Sequence, residues 1–357
     1  MTECEGTPAP EAPAITLTVC IPTLNRGPFI GQTLRTIVPQ LTPAVELLIV
    51  DGGSTDDTAE VVAAFQERCP AVRYVRADVE PGAGPAPSNA GFDRDCDLAV
   101  ELARGTYCWL MTDDDLLQPG AIDAVLRATA DAHTLIVVNA EMRNATVSRV
   151  LEERRVPLHA DRVYGPGEAQ ELFGDVGEYL SFVGAVVVRR DLWRSRERER
   201  YYGKGFIHVA VLFQKRLPGT ALVLAHPWIV IRFGNGNWSA RAFEIWMDTW
   251  PSLIWSFPDY EERAKVRVTR REAWQKWAAL LVYRARGAYS LTEYQRWIAA
   301  RPAGGVPKFV ARVIASLPGW PLNKLVLAYA YLRRAEFMVN DLKASPFYQL
   351  RSRPRAS

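Results

Sequence analysis

Three consecutive carboxylates stand directly after a short apolar segment of this 357-residue chain. Asp113, Asp114 and Asp115 follow residues 107–111, which carry no charge and are predicted to form a buried β-strand. Like charges about 4 Å apart repel by roughly 1 kcal/mol even in water, so such a cluster needs solvent or a cation among its oxygens. Proteins hold Mg²⁺ through one or two carboxylates together with substrate phosphates. The cluster therefore indicates a site for Mg²⁺ or Mn²⁺, with a solvated loop or a helix N-cap as the alternative.

Polar residues also follow two earlier apolar segments. Residues 15–21 run into the polar segment 22–26, and residues 45–50 run into Asp51, two glycines and Ser54. The glycines allow the backbone to approach a ligand closely, and the helix predicted after them offers free N–H groups in its first turn. An ordinary strand-to-helix turn is the alternative, although it leaves Asp51 without a partner. No P-loop sequence and no G-x-G-x-x-G follows a strand, which argues against nucleotide sites of those two types.

Alternating strands and helices must position these polar groups. This alternation is the signature of a mostly parallel sheet covered by helices on both faces, in which ligands bind at the carboxyl ends of the strands. The predicted helices in the first third of the chain span residues 28–38, 55–68 and 93–103. Further strands are predicted at residues 72–75, 135–139, 182–188, 221–224 and 228–232. Beyond residue 242 the pattern becomes helical and rich in tryptophan.

Charge divides the chain into two parts of opposite sign. Residues 1–261 carry 24 Lys and Arg against 35 Asp and Glu, a net charge of −11, whereas residues 262–357 carry 19 against 5, a net charge of +14. With 48% hydrophobic and 23% charged residues, the composition is that of a globular protein, which excludes collagen-like and globally disordered classes. The five cysteines form no C-x-x-C pair, which favours a reducing compartment over a disulfide framework or a cysteine zinc site.

The basic C-terminal part contains two amphipathic segments, at residues 306–317 and 322–332. The basic residues along them are Lys308, Arg312, Lys324, Arg333 and Arg334. Such helices fit a position in the interface of an anionic membrane, where each base contributes ~1 kcal/mol. Packing of both apolar faces on the rest of the protein is the alternative. No recognised nucleic-acid-binding motif accompanies the charge, so nucleic acid is not predicted as a partner. The sequence also lacks a run of about 18 apolar residues, so no membrane-spanning helix is predicted.

Three segments in this order resemble the family 2 glycosyltransferases of GT-A fold. They are residues 18–26 (TVCIPTLNR), 49–58 (IVDGGSTDDT) and 106–115 (TYCWLMTDDD). The resemblance covers residues 15–240. Four further segments are similar to abequosyltransferase-like enzymes of bacterial surface polysaccharide assembly, namely residues 107–110, 179–188, 202–208 and 231–235.

The resemblance implies a role for each polar segment. Pro22, Thr23, Arg26 and Asp51 would hold the nucleobase and ribose of a nucleoside-diphosphate sugar. The triplet Asp113, Asp114 and Asp115 would bind the divalent cation, and its first member would also contact the ribose or the sugar.

Two loops later in the chain add candidates for donor binding. Asn89 belongs to a polar loop that the family often places near the donor. Arg232 could pair with a diphosphate oxygen, and Trp238 could stack on a sugar face. A strand-to-helix turn whose tryptophan packs in the core is the alternative for these two. The expected donor-binding residues are Pro22, Thr23, Arg26, Asp51, Ser54, Asn89, Asp113, Arg232 and Trp238.

The catalytic base is the point at which the sequence departs from the family pattern. An inverting transferase needs a base that removes the proton from the attacking acceptor hydroxyl. The family usually offers an Asp after the strand that corresponds to residues 182–188, but residues 201–208 contain no carboxylate. His208, with an ordinary pKa of about 6.5, is the first candidate, and a structural histidine at a helix start is the alternative. Asp191 is the second candidate, although it also fits a cap for a helix beginning at Leu192, and Glu178 is the third.

We therefore predict an α/β protein with a GT-A-like, Rossmann-type, mostly parallel sheet flanked by helices, followed by a basic α-helical C-terminal region. The expected domains are a disordered tail at 1–14, a glycosyltransferase domain at 15–241 and a helical domain at 242–357. The expected reaction is metal-dependent, inverting transfer of a hexosyl or deoxyhexosyl group from a nucleoside-diphosphate sugar to a saccharide acceptor. We expect a lipid-linked acceptor and a cytoplasmic location at the inner face of the cell membrane. A nucleotidyltransferase is one alternative, and a non-catalytic protein that binds nucleotide sugars or membranes is another.

Overall fold

The computed structural model describes residues 14–77, 91–234, 241–302 and 304–349. These residues form two compact units, each made of segments that are distant in sequence. The first unit contains the described residues up to Val138 together with Val183–Ile207. The second contains Asn139–Phe182 and the described residues from His208 onward. The predicted division between residues 241 and 242 stays a prediction, and the predicted tail lies, except for Ala14, outside the described residues.

The secondary structure alternates strands and helices first and becomes helical later. The described strands are β1 (Leu17–Thr23), β2 (Val45–Asp51), β3 (Val72–Arg76), β4 (Tyr107–Leu110), β5 (Leu116–Leu117), β6 (Leu135–Arg143), β7 (Val150–Glu152), β8 (Arg162–Tyr164), β9 (Val186–Arg189) and β10 (Ala221–Arg232). The described α-helices are α1 (Gly27–Ile37), α2 (Thr58–Gln66), α3 (Phe92–Leu102), α4 (Ala121–Thr129), α5 (Ala169–Val176), α6 (Arg190–Arg194), α7 (Ile207–Phe213), α8 (Ala242–Glu244), α9 (Trp250–Ser256), α10 (Glu262–Val268), α11 (Trp277–Arg286), α12 (Leu291–Trp297), α13 (Gly305–Ser316), α14 (Gly319–Leu332), α15 (Glu336–Ala344) and α16 (Pro346–Gln349).

The sheet of the first unit runs in the order β3-β2-β1-β4-β9-β6, the last represented by the first half of β6. Strands β1 to β4 are parallel, with Thr23 opposite Asp51 and Cys20 opposite Leu110. Strand β9 runs antiparallel to both β4 and β6. Every residue of β1 and β2 is buried, which explains why their sequences are almost continuously apolar. Continuous apolar patterning reports burial and not strand direction, so the antiparallel part of the sheet was not predictable from it.

Helices α1 and α3 cover this sheet through apolar residues at helical spacing. Ile30, Leu34 and Ile37 of α1 are fully buried, and Pro28 lies in the first turn, where its missing N–H leaves no bond unmade. Helix α3 begins after Gly91, whose φ of 93° lies in the region that favours glycine. Helix α1 follows the carboxyl end of β1, and α3 follows the carboxyl end of β3. The first turns of both helices therefore lie at the edge of the sheet where the polar segments also lie.

Two predicted strands differ in length from the observed ones. The stretch predicted at 182–188 consists of a 3₁₀ turn at Val183–Ala185 followed by β9. Within that turn, the Gly184 carbonyl accepts a hydrogen bond of 2.8 Å from Nε1 of the buried Trp109. In the second unit, the strands predicted at 221–224 and 228–232 are one strand, β10, because the chain stays extended through Pro227.

The second unit combines antiparallel strand pairs with helices. Strand β7 pairs with the second half of β6, and β8 pairs with β10. The helical character predicted beyond residue 242 is confirmed. One apolar cluster contains Phe243, Met247, Trp274, Leu280, Tyr289, Ile298, Ala311, Ile314 and Ala315. A second contains Ala285, Val326, Leu327, Ala330, Val339 and Leu342. Across the described parts of the chain, every helix is too short or too polar to cross a lipid bilayer.

Candidate active site

The three predicted polar segments meet at one edge of the first unit's sheet. Because β1 and β2 are in parallel register, Thr23 lies opposite Asp51, and the Gly52 N–H donates to the Thr23 carbonyl at 2.9 Å. On the other side of β1, the Met111 N–H donates to the Cys20 carbonyl at 2.9 Å. The chain therefore leaves β4 beside the end of β1, and the carboxylate triplet begins two residues later.

Asp51 shapes the glycine-containing loop that follows β2. Its side chain is fully buried, and its Oδ1 accepts hydrogen bonds from the N–H groups of Gly53 at 2.9 Å and Ser54 at 2.6 Å. The φ of 103° at Gly53 explains the glycine at that position. The Tyr74 hydroxyl donates to Asp51 Oδ2 at 2.5 Å. Burial and this hydrogen bond raise the pKa of Tyr74, because both disfavour the phenolate. The partner that the sequence left open for Asp51 is thus Tyr74 on β3.

The loop after β1 is tied to the loop after β2 by reciprocal hydrogen bonds. The Asn25 N–H donates to Ser54 Oγ at 2.8 Å, and the Thr55 N–H donates to Asn25 Oδ1 at 2.8 Å. Asn25 has a φ of 54°, a left-handed conformation that Asn tolerates better than most residues. The Arg26 N–H donates to Thr58 Oγ1 at 2.9 Å. Together these bonds fix the backbone from which the Arg26 side chain extends.

The Arg26 guanidinium lies between two members of the carboxylate triplet. Its Nε is 3.0 Å from Asp113 Oδ1, and one terminal nitrogen pairs with Asp114. All three side chains are largely shielded from solvent. Burial and the neighbouring charge of Asp114 raise the pKa of Asp113 to about 6, although the positive charge of Arg26 opposes this shift. The repulsion expected from adjacent carboxylates is therefore offset here by a residue of the chain itself.

The third carboxylate of the triplet has a different environment. Asp115 is buried, and its Oδ2 accepts a hydrogen bond from the Thr112 hydroxyl at 2.5 Å. Within the part of the chain that is described, no group of three or more His, Cys, Asp and Glu side chains is arranged to hold a metal ion. Asp113 and Asp114 alone form a pair of hard oxygen donors that fits Mg²⁺ or Mn²⁺ when substrate phosphates supply further ligands. The metal site stays a prediction.

Helix α3 adds a buried carboxyl group that the sequence analysis missed. Asp95 is buried, and its Oδ1 has no hydrogen-bond partner among the described residues. A Cβ at Gly52 would lie only 2.7 Å from Asp95 Oδ2, so the loop after β2 can approach Asp95 only with glycine at that position. Burial and the nearby charge of Asp51 raise the pKa of Asp95 to about 7. The signal in the sequence was the spacing of three aspartates at 93, 95 and 97 within one helix.

The other two aspartates of α3 anchor the segment that precedes His208. Asp93 accepts hydrogen bonds from the N–H groups of Gly205 at 2.7 Å and Ile207 at 3.1 Å. Asp97 accepts from Trp193 Nε1 at 2.8 Å and from the Tyr202 hydroxyl at 2.5 Å. It also pairs with the Arg198 guanidinium at 2.9 Å. This network determines the path of residues 202–207 in the first unit.

The candidates for the catalytic base have contrasting surroundings. His208 is only 1% exposed, and its Nε2 lies 2.9 Å from the Leu180 carbonyl oxygen. Burial lowers the pKa of His208 to about 4, so the ring is neutral at pH 7. Asp191 is exposed, pairs with Arg189 and accepts a hydrogen bond from the Leu192 N–H at 2.7 Å. The environment of His208 matches the structural alternative considered from the sequence. Asp191 lies within the first turn of α6, which begins at Arg190 and not at Leu192, so it is not the cap considered from the sequence. The role of base stays a prediction for either residue.

The remaining predicted donor-binding residues are placed as follows. Pro22 is a buried residue of β1. Arg232 is buried at the end of β10 in the second unit, where its guanidinium donates to the Ala145 carbonyl at 2.8 Å. Asn89 and Trp238 lie outside the described residues. The site residues that the structure brings together are thus Thr23, Arg26, Asp51, Ser54, Asp113 and Asp114.

Similarity to known proteins agrees with this arrangement. The S. aureus TarS fragment 1–349 superposes with a TM-score of 0.55 at 14% identity, over 94% of this chain and 92% of that one. This likeness concerns the fold, which is the GT-A fold of glycosyltransferases. Residues 18–180 match the model for glycosyl transferase family 2. The predicted fold and the predicted resemblance to this family are confirmed.

Relatives with similar sequences are known in bacteria. Abequosyltransferase RfbV of Salmonella typhimurium is 23% identical over 239 residues, which cover 63% of this chain and 69% of that protein. The uncharacterized protein MT1568 of Mycobacterium tuberculosis is 34% identical over 184 residues, covering 49% of this chain and 54% of that protein. The chain thus spans little more than half of the second relative. The similarity to an abequosyltransferase agrees with the subgroup resemblance of the sequence.

Proposed function

We propose that this chain transfers a glycosyl group from a nucleoside-diphosphate sugar to a saccharide acceptor. The observation that carries the proposal is the meeting of Asp51, Arg26, Asp113 and Asp114 at the carboxyl ends of parallel strands. Ligands of open α/β sheets bind at such strand ends. The TarS fragment has also been solved with UDP-GlcNAc and with UDP, which supports a nucleoside diphosphate as the leaving group.

The donor would be held by backbone and side chains of three loops. We assign the nucleobase and ribose to the region of Thr23, Asp51 and Ser54. The hydrogen bonds from Gly53 and Ser54 to Asp51 fix the loop before any ligand arrives, so little conformational entropy is lost when the donor binds. Arg26 is placed to exchange a carboxylate partner for a diphosphate oxygen, since guanidinium groups bind both through paired N–H donors.

We further propose that Asp113 and Asp114 are ligands of Mg²⁺ or Mn²⁺. Both carboxylates contact the same positively charged group, the Arg26 guanidinium. This shared contact supports the proposal that they can bind a single cation together. The cation would neutralise the charge that develops on the departing nucleoside diphosphate. The buried carboxyl of Asp113 would then remain ionised at neutral pH, because a cation favours its charged form as Arg26 does.

The acceptor side of the reaction requires a catalytic base and a saccharide that reaches the donor site. We expect inversion at the anomeric carbon, a lipid-linked saccharide and an encounter at an anionic membrane surface. His208 is neutral at pH 7, as a base must be, although a pKa of about 4 makes it a weak one. Asp191 is exposed but engaged with Arg189. Transferase rates of His208→Gln and Asp191→Asn distinguish these two residues.

One assay tests the proposed reaction directly. The chain is incubated with UDP-, GDP-, CDP- and dTDP-sugars and Mn²⁺, and released nucleoside diphosphate is measured. We expect release with at least one donor, a loss of about 100-fold or more in Asp114→Asn, and no change in Glu101→Gln. Glu101 is the matched control because it is a partly exposed carboxylate on α3 that pairs with Arg194.

The same assay separates the alternatives. Release of pyrophosphate from nucleoside triphosphates would indicate a nucleotidyltransferase. Binding of nucleotide sugars without any release would indicate a non-catalytic protein. Full activity of Asp114→Asn after treatment with EDTA would contradict the proposed role of the cation.

A further inference from the structure

Helices α13 and α14 each have two apolar faces, although the sequence predicts only one. On α13, Ala311, Ile314 and Ala315 are buried in the first apolar cluster of the second unit. On α14, the buried residues Val326, Leu327 and Ala330 belong to the second cluster. These faces account for the packing of the helices within the unit. Val310 of α13 and Leu322 of α14 also pack against these clusters.

A second set of apolar residues on the same helices faces solvent, and we call it the exposed apolar rows. On α13 the row comprises Val306 (72% exposed), Phe309 (68%) and Val313 (44%). On α14 it comprises Leu325 (68% exposed), Tyr329 (55%) and Leu332 (83%). The spacings i, i+3, i+7 and i, i+4, i+7 place each row on one helix face. Several large apolar side chains exposed along one helix face indicate an interaction site rather than scattered surface residues.

The charge around these rows has a single sign. Residues 305–334 contain five basic residues and neither Asp nor Glu. Three of these basic residues take part in no ion pair within the described part of the chain, namely Arg312, Lys324 and Arg333. By contrast, Arg286 of the same unit pairs with Asp341 at 3.0 Å. A second copy of the chain is a poor occupant, because a twofold contact would bring five positive charges against five more.

A polar cavity begins where α14 ends. Its volume is about 420 Å³, and its polar lining residues are Asn144, Arg149, Tyr331, Arg334, Glu336, Asn340 and Lys343. Arg149 pairs with Glu336, so Arg334 and Lys343 supply the uncompensated positive charge. Two positive side chains together with amide donors are suited to a phosphate group.

We propose that the exposed apolar rows dock on an anionic phospholipid surface, with a lipid phosphate in the cavity beside Arg334 and Lys343. Binding to this surface would bring the chain to a lipid-linked acceptor. That purpose rests on the proposed function, whereas the binding itself does not. Amphipathic helices with basic flanks lie in the interface with the apolar side in the lipid and the bases at the headgroups. The arrangement requires no spanning helix.

Sedimentation with lipid vesicles tests the proposal. The full chain is mixed with phosphatidylcholine vesicles with or without about 30% phosphatidylglycerol in about 0.1 M NaCl, where surface charges are only partly screened. The test variant combines Val306→Ser, Phe309→Ser, Leu325→Ser and Leu332→Ser. The matched control combines Val163→Ser and Val266→Ser, which are 49% and 54% exposed in the same unit but lie outside the rows.

We expect the wild type to bind the anionic vesicles at least tenfold more tightly than the neutral ones. The affinity of the row variant for the vesicles should fall by about tenfold or more, because each apolar side chain buried in the lipid contributes to binding. The affinity of the control should not change. The charge variant Arg334→Gln/Lys343→Gln should lose about fivefold per base, and only on anionic vesicles. Because every substituted residue is exposed or lines the cavity, melting temperatures should stay unchanged.

Three results would overturn the proposal. They are equal sedimentation with both kinds of vesicle, full binding by the row variant, and a dimer in light scattering that the row variant dissociates. Nucleoside diphosphate release is measured on the same samples. A wild type that releases nucleoside diphosphate but does not bind anionic vesicles refutes the docking surface alone. A wild type that binds these vesicles but releases no nucleoside diphosphate refutes the proposed function alone.

Discussion

Replacing Arg26 by Gln removes the positive charge between Asp113 and Asp114 while keeping a polar side chain. In the wild type, Arg26 contacts both carboxylates, and the three side chains are between 12% and 15% exposed. Removing one partner of a shielded ion pair leaves an uncompensated charge, which costs about 3–5 kcal/mol when burial is complete. With the residual exposure of this cluster, we expect a loss of about 2–4 kcal/mol at pH 8, where both carboxylates are ionised.

A divalent cation should recover much of this loss. A ligand that binds only the folded state stabilises it by about 2.7 kcal/mol at a concentration 100 times its Kd. In the wild type the cation must displace Arg26 from the carboxylates, whereas in Arg26→Gln it does not. Mn²⁺ should therefore bind the variant more tightly and raise its melting temperature by more than that of the wild type, in the absence of any donor.

Thermal unfolding with and without Mn²⁺ measures both effects. We expect Arg26→Gln to melt roughly 5–10 °C below the wild type without the metal and to approach it at millimolar Mn²⁺. Arg189→Gln is the control, because its ion pair with Asp191 is exposed and should contribute less than ~1 kcal/mol with no response to Mn²⁺. Equal melting of Arg26→Gln and wild type, or equal stabilisation of both by Mn²⁺, would refute the reasoning.

Three further predictions concern buried titratable groups. Asp97→Ala leaves the Trp193 indole, the Arg198 guanidinium and the Tyr202 hydroxyl without their acceptor. In urea unfolding it should lower the free energy of unfolding of the first unit by about 3–5 kcal/mol. Glu101→Ala should lower it by less than ~1 kcal/mol. The pKa of Asp95 is raised to about 7 in the folded state. The Asp95 carboxyl group therefore contributes fully to the free energy of unfolding below its unfolded pKa of about 4, and this contribution is lost as the pH rises through 7. Asp95→Asn should remove that loss, and a parallel decline of wild type and variant between pH 4 and 8 would contradict the assignment. The pKa of His208 is lowered to about 4, so the wild type should lose stability as the pH falls from 6.5 towards 4, by about 3 kcal/mol, and His208→Gln should not.

The sequence was informative about the strands and their polar ends because burial leaves a direct trace in composition. Strands β1 and β2 are almost continuously apolar, and their ends are marked by Pro22 and by the glycines after Asp51. Parallel strands place their carboxyl ends at the same edge, so the meeting of Thr23, Asp51 and Asp113 followed from topology alone.

Partners that are distant in sequence could not be predicted in the same way. No local pattern indicates that Tyr74 donates to Asp51 or that Arg26 lies between Asp113 and Asp114. These contacts depend on side-chain rotamers and on loop paths set by single residues such as Asn25, whose left-handed φ turns the chain after β1. The aspartates of α3 were overlooked for the same reason, because only packing distinguishes a buried acceptor from a solvated charge.

Helix amphipathicity was predicted correctly, but its interpretation required the structure. Ile314 and Val313 are neighbours in one apolar segment, yet the first is buried and the second is exposed. A hydrophobic pattern wider than one helix face can serve two partners at once, and a sequence alone does not show which residues face which partner.

Equilibrium binding of nucleoside diphosphates tests the central claim, that Asp113 and Asp114 hold a donor through a divalent cation. UDP, GDP, CDP and dTDP are titrated calorimetrically into the wild type and into Asp113→Asn/Asp114→Asn, with Mn²⁺ and with EDTA. We predict that the wild type binds at least one of them with Mn²⁺ and loses about 100-fold or more in affinity in EDTA, and that the double variant binds weakly in both buffers. Equal affinity of wild type and double variant in the presence of Mn²⁺ would contradict the claim.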